Sequence, residues 1–351
     1  MNTLRFFPFS LIVASSLVSI ALATAAGQAV DTSMLRSRAL TPAIDTVPPK
    51  SVIETPFTIQ SGTLTLPGTL TIPAKYNHQI PVALIVAGSG PTDRNGNSGL
   101  LRAQNNSNLY AILAWQLATA GIASVRYDKR VLGDNLQKVD LNSISIDDFI
   151  ADAIAGARRL VADRRFSKVI LIGHSEGAEL VLQAVNRGAP AAGIVMMSGA
   201  GRPISMVLRE QLSKQLPLPE LVKWDSAFAR YLRGEAAGDV HPGLMSLLQP
   251  TNRRFMQSWV KYDPVAEIAK VKVPVLIVQG GRDIQVSESD ARALKTAQPV
   301  AKLVVIPAAN HVYRAAMSDD RLAQAKLYTD PTIPIVPELG PAIADWVNKL
   351  K

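Results

Sequence analysis

Residues 168–177, KVILIGHSEG, constrain the fold of this chain more than any other stretch. A short apolar run leads into Gly-His-Ser-Glu-Gly and at once into AELVLQAVNRG, a helix-like pattern. A strand that turns this abruptly into a helix forces its corner residue, Ser175, into an unfavourable backbone conformation. Gly173 and Gly177, on either side, must then be small so that strand and helix atoms do not collide. Such a corner leaves the Ser175 hydroxyl exposed at the carboxyl edge of a sheet, with a helix starting behind it. The N–H of Glu176 then points where negative charge would develop during an attack by that hydroxyl. Ser175 is therefore a candidate nucleophile.

The rest of the chain supplies the sheet that such a corner needs. IPVALIVAG is a continuous apolar run, the pattern of a strand buried on both faces. The loop GSGPTDRNGNSG and the amphipathic SNLYAILAWQLATAG follow it. The alternation continues with IASVRYD (strand), SIDDFIADAIAGARRLVADR (helix), KVILIG (strand), AAGIVMMSG (strand), VPVLIVQGG (strand), SESDARALKTA (helix), AKLVVIP (strand) and VPELGPAIADWVNKL (helix). Repeated βα units joined by short turns require a mostly parallel sheet with helices on both faces, an α/β fold. Ahead of them, SVIETPFTIQ and GTLTLPGTLTIPAK alternate with period two and predict an antiparallel pair, with Pro67-Gly68 marking a turn or bulge.

Between residues 201 and 263 the alternation breaks. The region is helical in composition, carries the prolines of LPLPE and VHPG, and contains no buried-strand run. It predicts a helical cap over the carboxyl edge of the sheet, anchored by Trp224, Phe228, Tyr231, Leu232, Leu247, Phe255 and Trp259. The remaining core is expected from residues 51–200 and 264–351.

Residues 1–26 have one charge, Arg5, then an apolar run from Leu11 to Leu22 and two small-x-small triplets, Ala21-Leu22-Ala23 and Ala23-Thr24-Ala25. They read as a cleaved signal peptide, which predicts export to the periplasm or beyond. An uncleaved N-terminal anchor is the alternative. The run is short for a spanning helix, so no stable membrane insertion is expected after cleavage. Residues 27–50 are Ala/Thr/Pro-rich, end in Val47-Pro48-Pro49-Lys50, and read as a linker or arm. The 351 residues include no Cys, which excludes disulfides, thiol catalysis, thiolate metal sites and a lipidated N-terminus. The net charge of +9 is scattered, without a dense patch or aromatic interleaving, which argues for solubility and against nucleic-acid binding. No cofactor or metal is called for.

A serine hydroxyl needs a base, usually His, that is held by a carboxylate. Four histidines are available. His78 precedes the third strand, His174 cannot easily turn back on its neighbour, and His241 lies in the cap beside Pro242. His311, in PAANHVYR after the last strand, is the candidate base. Asp283, just after VPVLIVQGG, is the candidate acid, because it too follows a strand that ends at this edge. Glu288 and Asp290 lie at a helix start, where capping accounts for them. The chain order is Ser175, Asp283, His311.

GHSEG, the GGRDIQV loop and the loop of His311 together resemble the α/β-hydrolase superfamily. AGSGPTDRNGN and RYDKR further resemble bacterial esterases and serine-peptidase-like hydrolases, which carry GSGP-x-DRDG and YDKRG in the same places. The resemblance spans roughly residues 52–351. It implies an eight-stranded, mostly parallel sheet with the cap inserted after strand 6. Two positions depart from the pattern: Asn95 replaces the last Asp of DRDG, and Val131 stands where Gly is expected, with Gly133 two residues on. The oxyanion hole is expected from the amide of Glu176 and one amide of Gly88-Ser89-Gly90, and the family pattern places that donor at Ser89. The resemblance also puts Asp93, Arg94, Asp128, Lys129 and Arg130 on adjacent loops. There they form either a salt-bridged brace for the oxyanion loop or solvated surface charges.

These residues imply a serine carboxylesterase acting on small-molecule esters of short to medium acyl chains through an acyl-enzyme. An exported peptidase or amidase is the alternative, as is a catalytically silent binding protein of the same fold. An amine site would call on cap acids such as Glu210, Glu220, Asp225, Glu235 and Asp239, in a region where basic residues outnumber acidic ones.

Overall fold

The structure, a computed structural model, describes residues 47–98 and 106–350. The expected signal peptide and nearly all of the expected linker lie outside the described residues. Eight strands form one sheet: β1 (Val52–Ser61), β2 (Leu64–Pro73), β3 (Ile80–Val86), β4 (Ala123–Tyr127), β5 (Phe166–His174), β6 (Gly193–Met197), β7 (Val275–Gly280) and β8 (Lys302–Ile306). Their spatial order is β1-β2-β4-β3-β5-β6-β7-β8. β1 and β2 pair antiparallel, β2 meets β4 antiparallel, and every later pairing is parallel.

Side-chain alternation explains why the central strands are apolar throughout. Val82, Leu84 and Val86 of β3 face one core, while Ala83 and Ile85 face the other. Val169 and Leu171 of β5 face the first, and Ile170 and Ile172 the second. A strand covered on both faces has no position at which a polar residue reaches water. The second core is closed by α1 (Leu109–Thr119) and the C-terminal helix α10 (Leu339–Lys349). The first is closed by α2 (Ile146–Val161), α3 (Glu176–Asn186) and α8 (Glu288–Ala297). Ser145 and Ser287 begin α2 and α8 through capping boxes with Asp148 and Asp290.

From β3 the chain steps outward to β4, then crosses back to β5 on the far side of β3. This reversal opens a crevice at the carboxyl ends of β3 and β5, the usual place for a ligand in an open α/β sheet. The loops carrying Ser89, Ser175, Asp283 and His311 all leave strands at this edge.

Between β6 and β7 stand α4 (Ile204–Ser213), α5 (Leu218–Leu232) and α6 (Pro250–Trp259), followed by the short return helix α7 (Pro264–Ile268). Trp224, Phe228, Tyr231, Leu247, Phe255 and Trp259 are buried in the first core, and Leu232 packs against it. Phe255 meets Phe149 of α2 edge-on at 5.7 Å, and the hydroxyl of Ser258 accepts a hydrogen bond from the amide of Ile146. The cap is thus fastened to the start of α2 by an aromatic contact and a buried polar one.

Two local expectations differ from the structure. Pro67 and Gly68 lie inside a continuous β2, opposite Thr58 and Phe57, and the turn falls at residues 62–63. Gly68 serves close packing instead, because a Cβ there would lie 2.8 Å from the carbonyl oxygen of Arg126 on β4. A further helix, α9 (Arg321–Thr329), lies between β8 and α10. Its apolar signal is weak, since Leu322 is exposed and Gln324 is the residue it buries.

The packing of β5 on α3 admits no side chain at Gly173. A Cβ on Gly173 would lie 2.0 Å from the carbonyl oxygen of Gly177, whereas one on Gly188 would meet open space at φ 82°. Gly173→Ala is expected to lose about 3 kcal/mol or more in urea denaturation, from overpacking against backbone. Gly188→Ala is expected to lose only about 1–2 kcal/mol, from the left-handed conformation alone.

Candidate active site

Ser175 adopts φ 56° and ψ −119° at the junction of β5 and α3, a conformation costly for any residue with a Cβ. Its amide is held by the carbonyl of Met197 on β6 at 2.9 Å. A Cβ on Gly177 would lie 2.2 Å from the carbonyl oxygen of Val86, so this glycine lets α3 sit directly on the end of β3. The same closeness brings the loop after β3 beside the nucleophile: a Cβ on Gly88 would be 3.2 Å from the Cβ of Ser175.

The acid and base loops pack on one another with equal economy. Cβ atoms on Gly280 and Gly281 would collide with the carbonyls of Ala309 and Pro307, and Arg282 N–H donates to the carbonyl of Ala309. Asp283 Oδ2 accepts from His311 Nδ1 at 2.8 Å, while Oδ1 accepts from the amides of Gln285 and Val286 at 2.9 Å each. Burial favours the protonated acid, but the His311 contact and the two amides outweigh it and hold the Asp283 carboxyl below the usual range. With Nδ1–H committed to Asp283, His311 offers Nε2 as its acceptor. The His311 loop is fixed by the side chain of Asn310, which takes the amides of Val312 and Arg314, and by Tyr313, whose hydroxyl donates to the carbonyl of Val278. Among the described residues no hydrogen bond joins Ser175 to His311.

His174, next to the nucleophile in sequence, belongs to a different arrangement. Its Nε2 faces the carbonyl oxygen of His311 at 2.9 Å, and its Nδ1 faces the hydroxyl of Tyr110 at 2.9 Å. Tyr110 Oη in turn lies 2.9 Å from the amide nitrogen of Gly88. The carbonyl can only accept and the amide can only donate, so every proton in the chain is assigned. Gly88 N–H donates to Tyr110, Tyr110 O–H to Nδ1, and Nε2–H to His311. Burial first, and then the neighbouring His311, push the His174 pKa down to about 3, so the ring is neutral near pH 7.

The same chain removes Gly88 N–H from the set of oxyanion donors. Ser89 is buried, its carbonyl accepts from Thr92 Oγ1, and its own Oγ has no partner among the described residues. Glu176, at the first turn of α3, is also buried.

The charged residues of the two neighbouring loops fall into four separate arrangements. Arg94 and Asp128 pair through two nitrogens, and Asp93 closes its own turn by accepting the amides of Asn95 and Asn97. Lys129 Nζ donates to the Gly88 carbonyl at 2.9 Å and to Glu176 Oε1 at 2.7 Å. Arg130 does not join the oxyanion loop, because its guanidinium is occupied by Asp148 and Asp152 of α2. Asn95, the departure from DRDG, accepts from Arg126, whose second nitrogen finds Glu54. Glu54 thus supplies the carboxylate that Asn95 lacks. Lys129 meets the brace expectation, whereas sequence reasoning leaves the contact of Tyr110 unassigned. RYDKR marks Lys129 as unusual, whereas nothing local marks Tyr110.

A pocket opens beside Ser175, between the sheet edge and the cap, with Glu179, Arg202, Trp259 and Tyr262 in its walls.

The sequence pattern that defines the Alpha/beta hydrolase family matches residues 83–325. Esterase EstD of Thermotoga maritima is 29% identical over 249 residues, which are 70% of this chain and 56% of the esterase. The chain therefore spans little more than half the length of that curated relative. Among solved structures, Est1E of Butyrivibrio proteoclasticus with bound ferulic acid superposes with a TM-score of 0.53 at 16% identity, covering 84% of this chain and 98% of Est1E. A hypothetical protein from Pseudomonas aeruginosa superposes with a TM-score of 0.56 at 15% identity, covering 90% of this chain and 99% of that one. At these identities the two structures show a shared fold and nothing more.

Two outcomes test the buried network. Lys129→Met strands the Glu176 carboxylate and is expected to cost about 3–5 kcal/mol in denaturation, most of it regained in Lys129→Met/Glu176→Gln. Folded His174 stays neutral down to about pH 3, while the unfolded residue protonates near 6.5. Its contribution is therefore intact above pH 6.5 and is lost as pH falls towards 3. The stability gap between wild type and His174→Asn should shrink by about 1.4 kcal/mol per pH unit below 6.5. Measuring the gap rather than either curve cancels carboxyl groups that titrate in the same range.

Proposed function

The chain belongs to the α/β hydrolase family, and from that membership we propose that it is a serine carboxylesterase working through an acyl-enzyme. The observation that carries this reading is the 2.8 Å contact between Asp283 and His311, tied by His174 to the strained corner that presents Ser175. In the proposed reaction the Ser175 hydroxyl attacks the ester carbonyl while His311 Nε2 takes its proton. Asp283 fixes the tautomer that leaves Nε2 free and stabilises the imidazolium that forms. The tetrahedral oxyanion is met by the amides of Glu176 and Ser89, each contributing about 2.7–4 kcal/mol to the transition state. Collapse breaks the ester C–O bond, and His311 passes its proton to the departing alcohol. Water then attacks the acyl-enzyme and gives a proton to His311, which returns it to Ser175 as the acid leaves.

The pocket beside Ser175 is walled in part by Ile204, Val207, Trp259 and Val286, apolar side chains that suit a short to medium acyl chain. The cap acids do not support an amine site of their own: Glu210, Glu220, Asp225, Glu235 and Asp239 are each paired with Arg or Lys. Export remains part of the proposal on the strength of residues 1–26, and sequencing the N-terminus of the mature protein tests it.

Ser175→Ala is expected to lower kcat for p-nitrophenyl acetate at least about 10³-fold, and Asp283→Asn about 10³–10⁴-fold. Wild type should also be labelled by a fluorophosphonate. Failure of labelling, with no Ser175-dependent turnover of acetate, longer acyl esters or aminoacyl anilides, would remove the hydrolase reading. Anilide cleavage without ester preference would replace it with a peptidase.

A further inference from the structure

A carboxyl that the acyl-enzyme chemistry does not use stands in the same pocket as the nucleophile. Glu179 lies one turn into α3 and lines that pocket with Ser175, Arg202, Trp259 and Tyr262. It is only 6% exposed. Oε1 accepts a hydrogen bond from Gln183 Nε2 at 2.7 Å. Among the described residues no Lys or Arg pairs with Glu179, and Oε2 has no protein partner. Nor is Oε2 among the fully enclosed polar atoms without a partner, so it keeps some exposure in a residue that lines the pocket. Burial, reinforced by Glu267 and Asp263, pushes its pKa up to about 7.

The other charged groups around the pocket are matched. Glu176 is neutralised by Lys129, and Arg202 is held between Asp290 and Glu210. A buried carboxyl without a cation is a cost to the fold, and an acid in the first helical turn gains from the dipole whether or not it is buried. Leucine or glutamine would occupy the position without that cost. What the glutamate adds is an acceptor in the wall of the pocket that also contains Ser175.

We propose that Glu179 selects the substrate, and that the group entering this pocket carries a hydrogen-bond donor, either a hydroxyl or an ammonium. The inference rests on the hydrolase reading and deepens it. A plain alkyl group seated here would strip water from Oε2 and leave the oxygen unpaired. A donor-bearing group replaces the water and keeps it satisfied, and that asymmetry is the strongest source of discrimination open to a small pocket. A substrate carboxylate would meet a like charge whenever Glu179 is ionised, because Arg202 is already matched by two carboxylates.

The test compares kcat/KM for donor-bearing and plain esters within each protein, so that folded fraction and Ser175 reactivity cancel. On the acyl side the pair is p-nitrophenyl 3-hydroxybutyrate and p-nitrophenyl butyrate, with β-alanine p-nitrophenyl ester supplying the ammonium. On the alcohol side it is 2-hydroxyethyl butyrate and propyl butyrate. In Glu179→Leu the donor-to-alkyl ratio is expected to fall about tenfold or more in at least one pair, mainly through KM. Glu179→Gln keeps an acceptor without charge, so it should retain a hydroxyl preference and lose an ammonium preference, which tells the two donors apart. It also keeps the test valid if the leucine variant does not fold. Ratios that change by less than about threefold in every pair overturn the inference and leave the hydrolase intact. Absence of Ser175-dependent turnover of every ester overturns both.

Discussion

The close approach of β5, α3 and the end of β3 is the constraint on which the site depends. Gly173 and Gly177 are where backbone meets backbone, and a single methyl at either would occupy space already held by a carbonyl group. Because α3 sits so low on the sheet, the loop leaving β3 runs beside Ser175 instead of above it. The strain at Ser175, of order 1–3 kcal/mol, is sustained by β6 through the Met197 carbonyl and by the helix that begins one residue later. The corner at Ser175 and the course of the loop after β3 are thus consequences of one packing contact. Neither could move without opening the centre of the sheet.

Around this contact the protein keeps several ionised groups out of water, each with its partners supplied. Lys129 and Glu176 form a pair whose side chains are almost fully buried, and the lysine spends a second hydrogen on the Gly88 carbonyl. Asp283 is surrounded by an imidazole and two amides. Arg126 is enclosed by Glu54, Thr71 and Asn95, and Trp115 donates to the same Glu54 oxygen. Buried ionic groups add little net stability over apolar ones, but they are intolerant of misplacement, since any shift leaves a charge without its partner. Here they lock the loops after β3 and β4 to each other and to α3. Rigidity of that kind is what donors aimed at an oxyanion require, because their value lies in being oriented before charge develops.

Much of this architecture was legible in the chain because the governing rules are local. Strand endings, glycine spacing and the break in alternation predict the parallel sheet, the corner at Ser175, and the strand ends that carry Asp283 and His311. The errors and gaps are equally physical. Pro67-Gly68 reads as a turn because those residues favour turns, but β2 uses the missing Cβ of Gly68 to admit β4. Tyr110 lies 64 residues from His174, and nothing in SNLYAILAWQLATAG separates its hydroxyl from that of any helix tyrosine. Arg130 and Lys129 are adjacent and chemically alike, yet one serves α2 and the other the oxyanion loop. Only the side from which each chain leaves β4 decides between them. Helix α9 is held from outside itself, by the buried guanidinium of Arg314 on the carbonyls of Leu327 and Asp330, and its own sequence carries little sign of it.

The two neighbouring imidazoles, tilted 46° to one another, bear on the division of roles proposed for His174 and His311. The rings of His174 and His311 are 4.9 Å apart between centroids, in a buried setting where two positive charges would repel strongly. One must remain neutral for the other to carry a proton. The surroundings decide which: His311 has the Asp283 carboxylate on its Nδ1, whereas His174 has only a neutral phenol and a carbonyl. A carboxylate stabilises an imidazolium, while a phenol that already donates its proton to Nδ1 resists a second one there. His174 is therefore free to act as a fixed dipolar link, with one nitrogen on the His311 backbone and the other leading through Tyr110 to Gly88. The loop of His311 and the loop of Gly88 are thereby set relative to each other by a ring that stays neutral near pH 7.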